Sequence, residues 1–210
     1  MKIYNHSDIL DLERYFRRNF MNTISGYKSA HLLATTDKDG QTNVAIFNSV
    51  VHIGATPPHI GFIMRPLTVE RQTYNNIKAT GKFTLNAVTV GIHEKAHQTS
   101  AKYPADISEF DACQLEAKYL NDFPIPFVGE SPIKIGLSLA EEIEIKTNGT
   151  VLIVGKVETI IIDEQIIGEG GHIDLEKMNG VAISGLDTYY KGAKLGTYTF
   201  ARPNQSVKKV

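Results

Sequence analysis

Residues 71–88 read RQTYNNIKATGKFTLNAV, a helical pattern that stops at a glycine and continues directly as a strand. Thr68 is positioned to cap a helix over residues 69–80, and Lys78 falls in its last turn, where a cation interacts favourably with the helix dipole. Gly81 can adopt the left-handed conformation that ends many helices. The pattern therefore predicts a helix over 69–80, followed by the strand KFTLNAV.

This junction carries more hydrogen-bonding side chains than a simple connection needs, namely Arg71, Thr73, Asn75, Asn76 and Asn86. An anion is the simplest ligand for Arg65, Arg71 and Thr73, because a guanidinium can donate to two phosphate oxygens and a hydroxyl to a third. The alternative is that these side chains are merely solvated, with Arg71 paired to Glu70 or Asp37. From the residues alone, both interpretations stay open.

The segments around the junction are rich in strand and turn patterns. Asp37–Gly40 and Asn148-Gly149 are typical of hairpin turns. Together they predict a strand on each side of residues 37–40 and a long hairpin over 133–164. The pair Pro57-Pro58 interrupts the pattern, and HIGFIMR then forms a third strand. With short strands at VAISG and GTYTFAR near the end, we expect six to eight mainly antiparallel strands in a small β-barrel.

Two further segments decorate this barrel. Residues 7–22 place Ile9, Leu12, Phe16 and Phe20 three to four positions apart, which predicts an amphipathic helix packed on the body, capped by Ser7 or Asp8. Residues 91–101 predict a short helix. The proline-rich stretch that follows, to residue 132, should be poor in regular structure and is too long for an idle connection, so we expect a loop or lid.

Composition favours one globular domain over residues 1–210. The hydrophobic content of 42% is sufficient for a core. Because 22 basic residues nearly balance 23 acidic ones, the chain has no excess positive charge that would attract nucleic acid. Neither a signal peptide nor an apolar run that could span a bilayer is evident, and we expect a cytoplasmic protein with no membrane partner. The single cysteine, Cys113, is expected to be a buried small hydrophobe.

The run His93-Glu94-Lys95-Ala96-His97 matches H-E-x-x-H, in which two histidines one helical turn apart bind zinc and the glutamate activates water. A zinc hydrolase is therefore an alternative, with Glu116 as the only nearby third ligand. The competing interpretation is that the histidines donate to an anion or ring, or lie on a wet surface. Walker, G-x-S-x-G, G-x-G-x-x-G and Cys-x-x-Cys motifs do not occur.

Three stretches occur in a fixed order: TNVAIFNSVVHIGATPPHIGFIMR at 42–65, the run from Thr68 to Asn86, and HQTSAKYPADISEF at 97–110. In this order they resemble the flavin reductase-like family of FMN-binding split barrels, over about residues 25–200. The resemblance implies a mainly β, split-barrel homodimer with a few peripheral helices and FMN at the barrel edge near the subunit interface. It also implies hydride transfer from NADH or NADPH, with reduced flavin or electrons passed to a partner such as a monooxygenase.

The resemblance also implies a set of cofactor contacts. It places the isoalloxazine edge against Phe47, Asn48, Ser49 and Val50. The phosphate lies toward Arg65, Arg71 and Thr73. The ribityl chain or ring lies toward Asn86, Ala87 and Val88. The lid segment completes the pocket with His97, Thr99 and Ser100.

The chain departs from the family near its C-terminus, where ISGLDTYYKG replaces an Arg-x-Gly-Gly stretch that precedes a tyrosine in many relatives. The resemblance still implies that Tyr189 contacts the cofactor, although the surrounding stretch differs from the family pattern. No separate catalytic residue is implied, because hydride passes directly from nicotinamide to flavin and the protein binds and orients both. A non-catalytic FMN-binding electron carrier remains the alternative, since the sequence reveals no nicotinamide contact.

Overall fold

The computed structural model describes all residues from 1 to 210. The helices are α1 His6–Asp11, α2 Arg14–Thr23, α3 Gln72–Thr80, α4 His93–Gln98 and α5 Glu109–Ala112, with 3₁₀ turns at Glu164–Ile166 and Glu169–Gly171. The strands are β1 Lys28–Ser29, β2 His31–Thr36, β3 Thr42–Phe47, β4 Val50–Ala55, β5 Pro58–Met64, β6 Lys82–Ala87, β7 Ala117–Lys118, β8 Phe127–Val128, β9 Ile133–Ile145, β10 Thr150–Ile162, β11 Val181–Ser184 and β12 Thr188–Lys191.

Seven antiparallel strands form the body in the order β3-β2-β6-β9-β10-β5-β4. The two edge strands, β3 and β4, are consecutive in the chain and are separated only by Asn48 and Ser49. The backbone carbonyl of Ser49 accepts a 3.0 Å hydrogen bond from the amide of Ile63 on β5. The edges of the sheet therefore meet at this two-residue corner, which confirms the mainly β barrel with peripheral helices.

Hydrophobic residues cover both faces of the sheet because successive side chains of a strand point to opposite sides. The neighbours Leu32 and Leu33 on β2 are both fully buried, and they belong to different clusters. Leu33 packs in the cluster that contains Phe62 and Phe83, whereas Leu32 packs in the cluster that contains Ala96 of α4 and Phe110 of α5. Helices α4 and α5 thus close one face of the sheet.

Both predicted hairpins are confirmed. The β2–β3 turn contains Gly40 at φ 88°, and the β9–β10 turn contains Gly149 at φ 70°. Helix α3 ends at Gly81 as predicted, with φ 70°. It begins at Gln72 rather than at residue 69, because Arg71 keeps an extended backbone as the N-cap.

Three predicted elements differ from the structure. The strand expected after Gly40 is two strands, β3 and β4, interrupted at Asn48 and Ser49. The helix expected over 7–22 is divided at Leu12 and Glu13, because the carboxylate of Glu13 accepts from the amides of Tyr15 and Phe16 and so starts a new helix. Neither α1 nor α2 contains a buried residue, so the expected packing on the body is not observed.

The third difference lies at the C-terminus. The segment GTYTFAR forms no strand, and its only pairing is an isolated bridge between Tyr198 and Lys209. The last strand is instead β12, which pairs with β11. No helix in the chain is both long enough and apolar enough to cross a lipid bilayer.

Candidate functional site

The first turn of α3 presents a cation without an acidic partner. Arg71 caps this helix and forms no salt bridge, and its Nε is enclosed without a hydrogen-bond partner. Arg65, at the end of β5, is exposed and likewise forms no salt bridge. A partly buried guanidinium with unused donors is suited to an anion such as a phosphate.

Thr73 is the second residue of the same helix and is buried. Its hydroxyl accepts a 3.2 Å hydrogen bond from the Nδ2 of Asn43 on β3, so its own proton is free to donate. Asn76, from the same polar set, donates to the hydroxyl of Thr35 at 3.0 Å and fixes α3 to β2. Arg71 and Thr73 thus provide free donors at one point, whereas Asn76 is a structural residue.

The corner between β3 and β4 contains the second group of predicted residues. The Nδ2 of Asn48 donates a 2.6 Å hydrogen bond to the carbonyl of Gly185, in the turn between β11 and β12. The Oγ of Ser49 donates to the Oδ1 of Asn48 at 3.3 Å. Phe47 and Val50 flank the corner, both partly buried, and pack against the inner cluster of the barrel. This corner is a fixed and partly accessible polar edge beside an aromatic ring.

Residues 86–88 are more deeply buried than the corner. The Nδ2 of Asn86 donates to the carbonyl of Leu32, and its Oδ1 accepts from the amide of Val128. The carbonyl of Ala87 accepts from the Oγ of Ser131 at 2.8 Å, and Val88 uses both of its backbone groups within the protein. The side chain of Asn86 therefore joins β6 to β2 and β8, and its cofactor contact stays a prediction, as do those of Ala87 and Val88.

His31 is a neighbour of this site that sequence reasoning missed. It lies opposite Phe47 on one side and Ala87 on the other, so the three side chains share a face of the sheet. Burial lowers the pKa of His31 to about 4, and its enclosed Nδ1 has no hydrogen-bond partner. The imidazole is therefore neutral at physiological pH. The sequence signal that could have revealed this buried histidine is its position inside the apolar run AHLLATT.

The two histidines of the H-E-x-x-H match both flank Tyr189. The Nδ1 of His97 and the hydroxyl of Tyr189 are 3.1 Å apart, and the ring centres of His93 and Tyr189 are 5.6 Å apart. The Nδ1 of His93 donates to the carbonyl of Val90, since a carbonyl can only accept. No group of three metal-ligating side chains gathers anywhere in the chain. The zinc alternative therefore lacks its third ligand.

Burial raises the pKa of Tyr189 to about 12, with a smaller contribution from the charge of Asp187. The phenol thus stays protonated at physiological pH and can hydrogen-bond to His97. Tyr189 attaches β12 to helix α4 through His97, and Gly185 attaches the preceding turn to the barrel through Asn48. The hairpin β11–β12 therefore closes one side of the corner.

The segment after α4 lies across the beginning of α3, as expected for a lid. The Nε2 of Gln72 donates to the carbonyl of Ala105 at 3.5 Å, and the hydroxyls of Thr42 and Ser108 are 2.6 Å apart. The Oε2 of Glu109 accepts from the amide of Val44 at 3.2 Å, and burial raises the pKa of this carboxyl. The lid is thus anchored to β3 and α3.

Other predicted lid residues differ in accessibility. Thr99 is buried, and its hydroxyl donates to the carbonyl of Ala96, whereas Ser100 is exposed. Cys113 is buried beside Tyr103, and burial raises the pKa of its thiol, which disfavours the nucleophilic thiolate.

Strand β3 connects the anion-binding end to the corner. Asn43 contacts Thr73 at the start of the strand, and Phe47 ends it on the same face. Four residues of extended chain span about 13 Å. The arrangement places unused hydrogen-bond donors beside one end of β3 and an aromatic, polar edge at the other.

A family model described as the flavin reductase like domain matches residues 24–176. The match covers most of the chain, and the protein belongs to the flavin reductase-like family. As a member it is a flavoprotein-type oxidoreductase domain with the split-barrel fold.

Solved structures place the chain more closely within this family. A split-barrel protein from Shewanella frigidimarina NCIMB 400, assigned to the flavin reductases, is 43% identical, with a TM-score of 0.92 over 96% of this chain and 100% of that one. Nitrilotriacetate monooxygenase component B from Bacillus cereus is 18% identical, with a TM-score of 0.81 over 92% and 96%. Flavoredoxin of Desulfovibrio vulgaris is 21% identical, with a TM-score of 0.71 over 86% and 92%. The last two similarities concern the fold alone.

Proposed function

We propose that this protein binds FMN and acts as a flavin reductase that takes hydride from NADH or NADPH. The observation that carries the proposal is that the unused donors of Arg71 and Thr73 belong to α3 beside the start of β3, where Asn43 contacts Thr73, whereas the polar corner at Asn48 and Ser49 follows the end of that strand. Such an arrangement suits a ligand with a phosphate at one end and a ring at the other, as in FMN. When bound, the flavin supplies the hydride-accepting ring.

The residues of the chain would bind and orient this ring. Arg71, Arg65 and Thr73 hold the phosphate through charge-assisted and hydroxyl hydrogen bonds. The backbone and side chains of Phe47, Asn48, Ser49 and Val50 meet the ring edge, and residues 86–88 lie toward the ribityl chain or ring. His97, Thr99, Ser100 and Tyr189 close the pocket from the lid and from β12. Fixed donors near the pyrimidine edge favour the negative charge of a reduced ring.

We further propose a homodimer that passes reduced flavin or electrons to a partner protein. A monooxygenase is one candidate for this partner, and the fold similarity to nitrilotriacetate monooxygenase component B is compatible with that role. The alternative, a non-catalytic FMN-binding electron carrier, is kept because the fold is also shared with flavoredoxin. The two candidates differ in whether nicotinamide reduces the flavin.

One experiment separates these candidates. The purified chain is loaded with FMN, its visible spectrum is recorded, and NADH and then NADPH are added without oxygen. Flavin absorption that bleaches with either donor supports the reductase and identifies the donor. Bound flavin that stays oxidised with both donors would favour the carrier, and a chain that takes up no FMN would contradict both.

A further inference from the structure

The C-terminal residues 192–210 form an arm that has no core of its own. Two backbone hydrogen bonds close it into a hairpin, from Thr199 to Lys208 at 3.0 Å and from Val210 to Thr197 at 2.9 Å. Yet its apolar side chains remain in solvent, and the exposed fraction is 89% for Phe200 and 86% for Leu195. An isolated two-stranded hairpin is marginally stable in water, so this arm requires a surface to pack on.

The arm is also strongly basic. Residues 192–210 contain four cations and no acidic side chain, and these cations are Lys194, Arg202, Lys208 and Lys209. This composition contrasts with the near balance of charge in the whole chain. A surface that receives the arm should therefore be acidic and should expose apolar side chains between its charges.

Residues 157–176 form a segment with this composition on the same fold. They contain six acidic residues and no lysine or arginine, and the acids are Glu158, Asp163, Glu164, Glu169, Asp174 and Glu176. Among these charges Ile160, Ile167 and Leu175 are 57%, 43% and 62% exposed. The segment is thus complementary to the arm in both charge and apolar character.

Within its own chain, the start of the arm lies beside the end of this segment. The amide of Lys194, at the root of the arm, donates a 2.9 Å hydrogen bond to Glu176. Beyond this root the apolar side chains of the arm and of the segment both stay exposed. Residues 192–200 can extend by at most about 30 Å, which is enough to reach a neighbouring molecule.

We propose that the arm of one copy of this chain packs on residues 157–176 of a second copy. Two copies related by a twofold axis form this contact twice, since each contributes one arm and one acidic segment. The contact would bury the exposed side chains of the arm and pair its cations with acids of the partner that carry no salt bridge, such as Glu164 and Glu169. It extends the homodimer of the proposed function to a defined exchange of C-terminal arms, and it requires no bound flavin.

Charge reversal tests the exchange directly. One variant carries Lys208→Glu with Lys209→Glu in the arm, and the other carries Glu164→Lys with Glu169→Lys in the acidic segment. Alone, each variant faces like charge across both contacts, and its dimer dissociation constant should rise at least about tenfold. Mixed in equal amounts, the two variants regain opposite charges at both contacts and should form the heterodimer with close to wild-type affinity, as measured by sedimentation equilibrium.

The control variant, Lys38→Glu with Lys146→Glu, makes the same charge change in two exposed hairpin turns and should leave the dissociation constant unchanged. The proposal is overturned if both test variants dimerise like the wild type, or if mixing restores no affinity. A monomeric wild-type chain would overturn it as well. A stable dimer with no preference for the mixed pair would leave the homodimer intact and remove the arm from its interface.

A disulfide provides a second measurement that does not depend on affinity. Phe200→Cys in one chain and Ile167→Cys in another, differently sized chain should form a mixed disulfide on oxidation. The native Cys113 is buried and should not compete. Replacement of Phe200→Cys by Ala79→Cys, on the exposed side of α3, is the matched control and should give none. Equal yields from the two pairs would contradict the exchange.

Discussion

The side chain of Asn48 donates a 2.6 Å hydrogen bond to the carbonyl of Gly185, a residue 137 positions further along the chain. This bond attaches the turn of β11–β12 to the point where the edges of the barrel meet. Asn48 therefore positions two walls of the candidate flavin site at once. Its removal should affect both the stability of the hairpin and the binding of flavin.

Asn48→Asp tests this bond with little change of shape. The carboxylate cannot donate to the carbonyl of Gly185, and we expect a loss of about 1–3 kcal/mol in the free energy of unfolding together with weaker FMN binding. Urea unfolding and a flavin fluorescence titration measure the two effects. Ser49→Ala, which removes only a 3.3 Å bond at the same corner, should cost less. Equal losses in both variants would contradict a special role for Asn48.

Arg71→Ala should weaken FMN by about 1.5–3 kcal/mol, because it removes a charged hydrogen bond to the phosphate. This loss corresponds to a factor of about 10–150 in the dissociation constant. Riboflavin lacks the phosphate, and its affinity should not change. Arg14→Ala, on the exposed surface of α2, serves as the control. A parallel loss for FMN and riboflavin would show that Arg71 acts on the fold rather than on the phosphate.

His31 should make stability depend on pH between about 6.5 and 4. Its pKa falls from 6.5 to about 4 on burial, so the unfolded chain binds a proton in this window that the folded chain does not. The stabilisation is fully present above pH 6.5 and declines as the pH falls toward 4, by up to about 3 kcal/mol.

Urea unfolding of wild type and His31→Leu across this range measures the effect. The difference between the two free energies of unfolding should shrink or change sign as the pH falls. His52→Gln, which changes an exposed histidine on β4, should reproduce the wild-type profile. Wild-type and His31→Leu profiles that run parallel would refute the burial of a neutral imidazole.

Glu109 should stabilise the fold as a hydrogen-bond acceptor for the free edge of β3, and not through its negative charge. Its Oε2 accepts from the amide of Val44, and burial raises its pKa. Glu109→Ala leaves that amide unpartnered and should cost about 1–3 kcal/mol, whereas Glu109→Gln keeps an acceptor and should cost less than about 1 kcal/mol. Urea unfolding and hydrogen exchange of the Val44 amide distinguish the variants. Similar losses in both would show that the charge matters.

Local patterns predicted much of the fold. The hairpins at Gly40 and Gly149 and the end of α3 at Gly81 depend on glycines with positive φ, a requirement that short sequences reveal. The interruption at Asn48 was not predictable in the same way. It occurs within a continuous β-rich run, and its structural partner, Gly185, belongs to a distant turn.

The candidate site was predicted unevenly for a similar reason. The patterns around Arg71 and Thr73 pointed to an anion, and the structure leaves both with unused donors. In contrast, Asn86 looks equally polar in sequence, but its side chain is fully buried in bonds to β2 and β8. His31 carries no motif, and only strand pairing reveals that it lies between Phe47 and Ala87.

The meeting of β3 and β4 would couple flavin binding to the stability of the whole barrel. These strands stand first and last in the sheet, so the line between them is the seam of the barrel, and two residues span it. A ligand bound at Asn48 and Ser49 would stabilise the junction between these two edge strands. Its binding energy would then oppose the opening of every strand, so that saturation should slow amide exchange as far away as β9 and β10 and raise the melting temperature of the whole barrel.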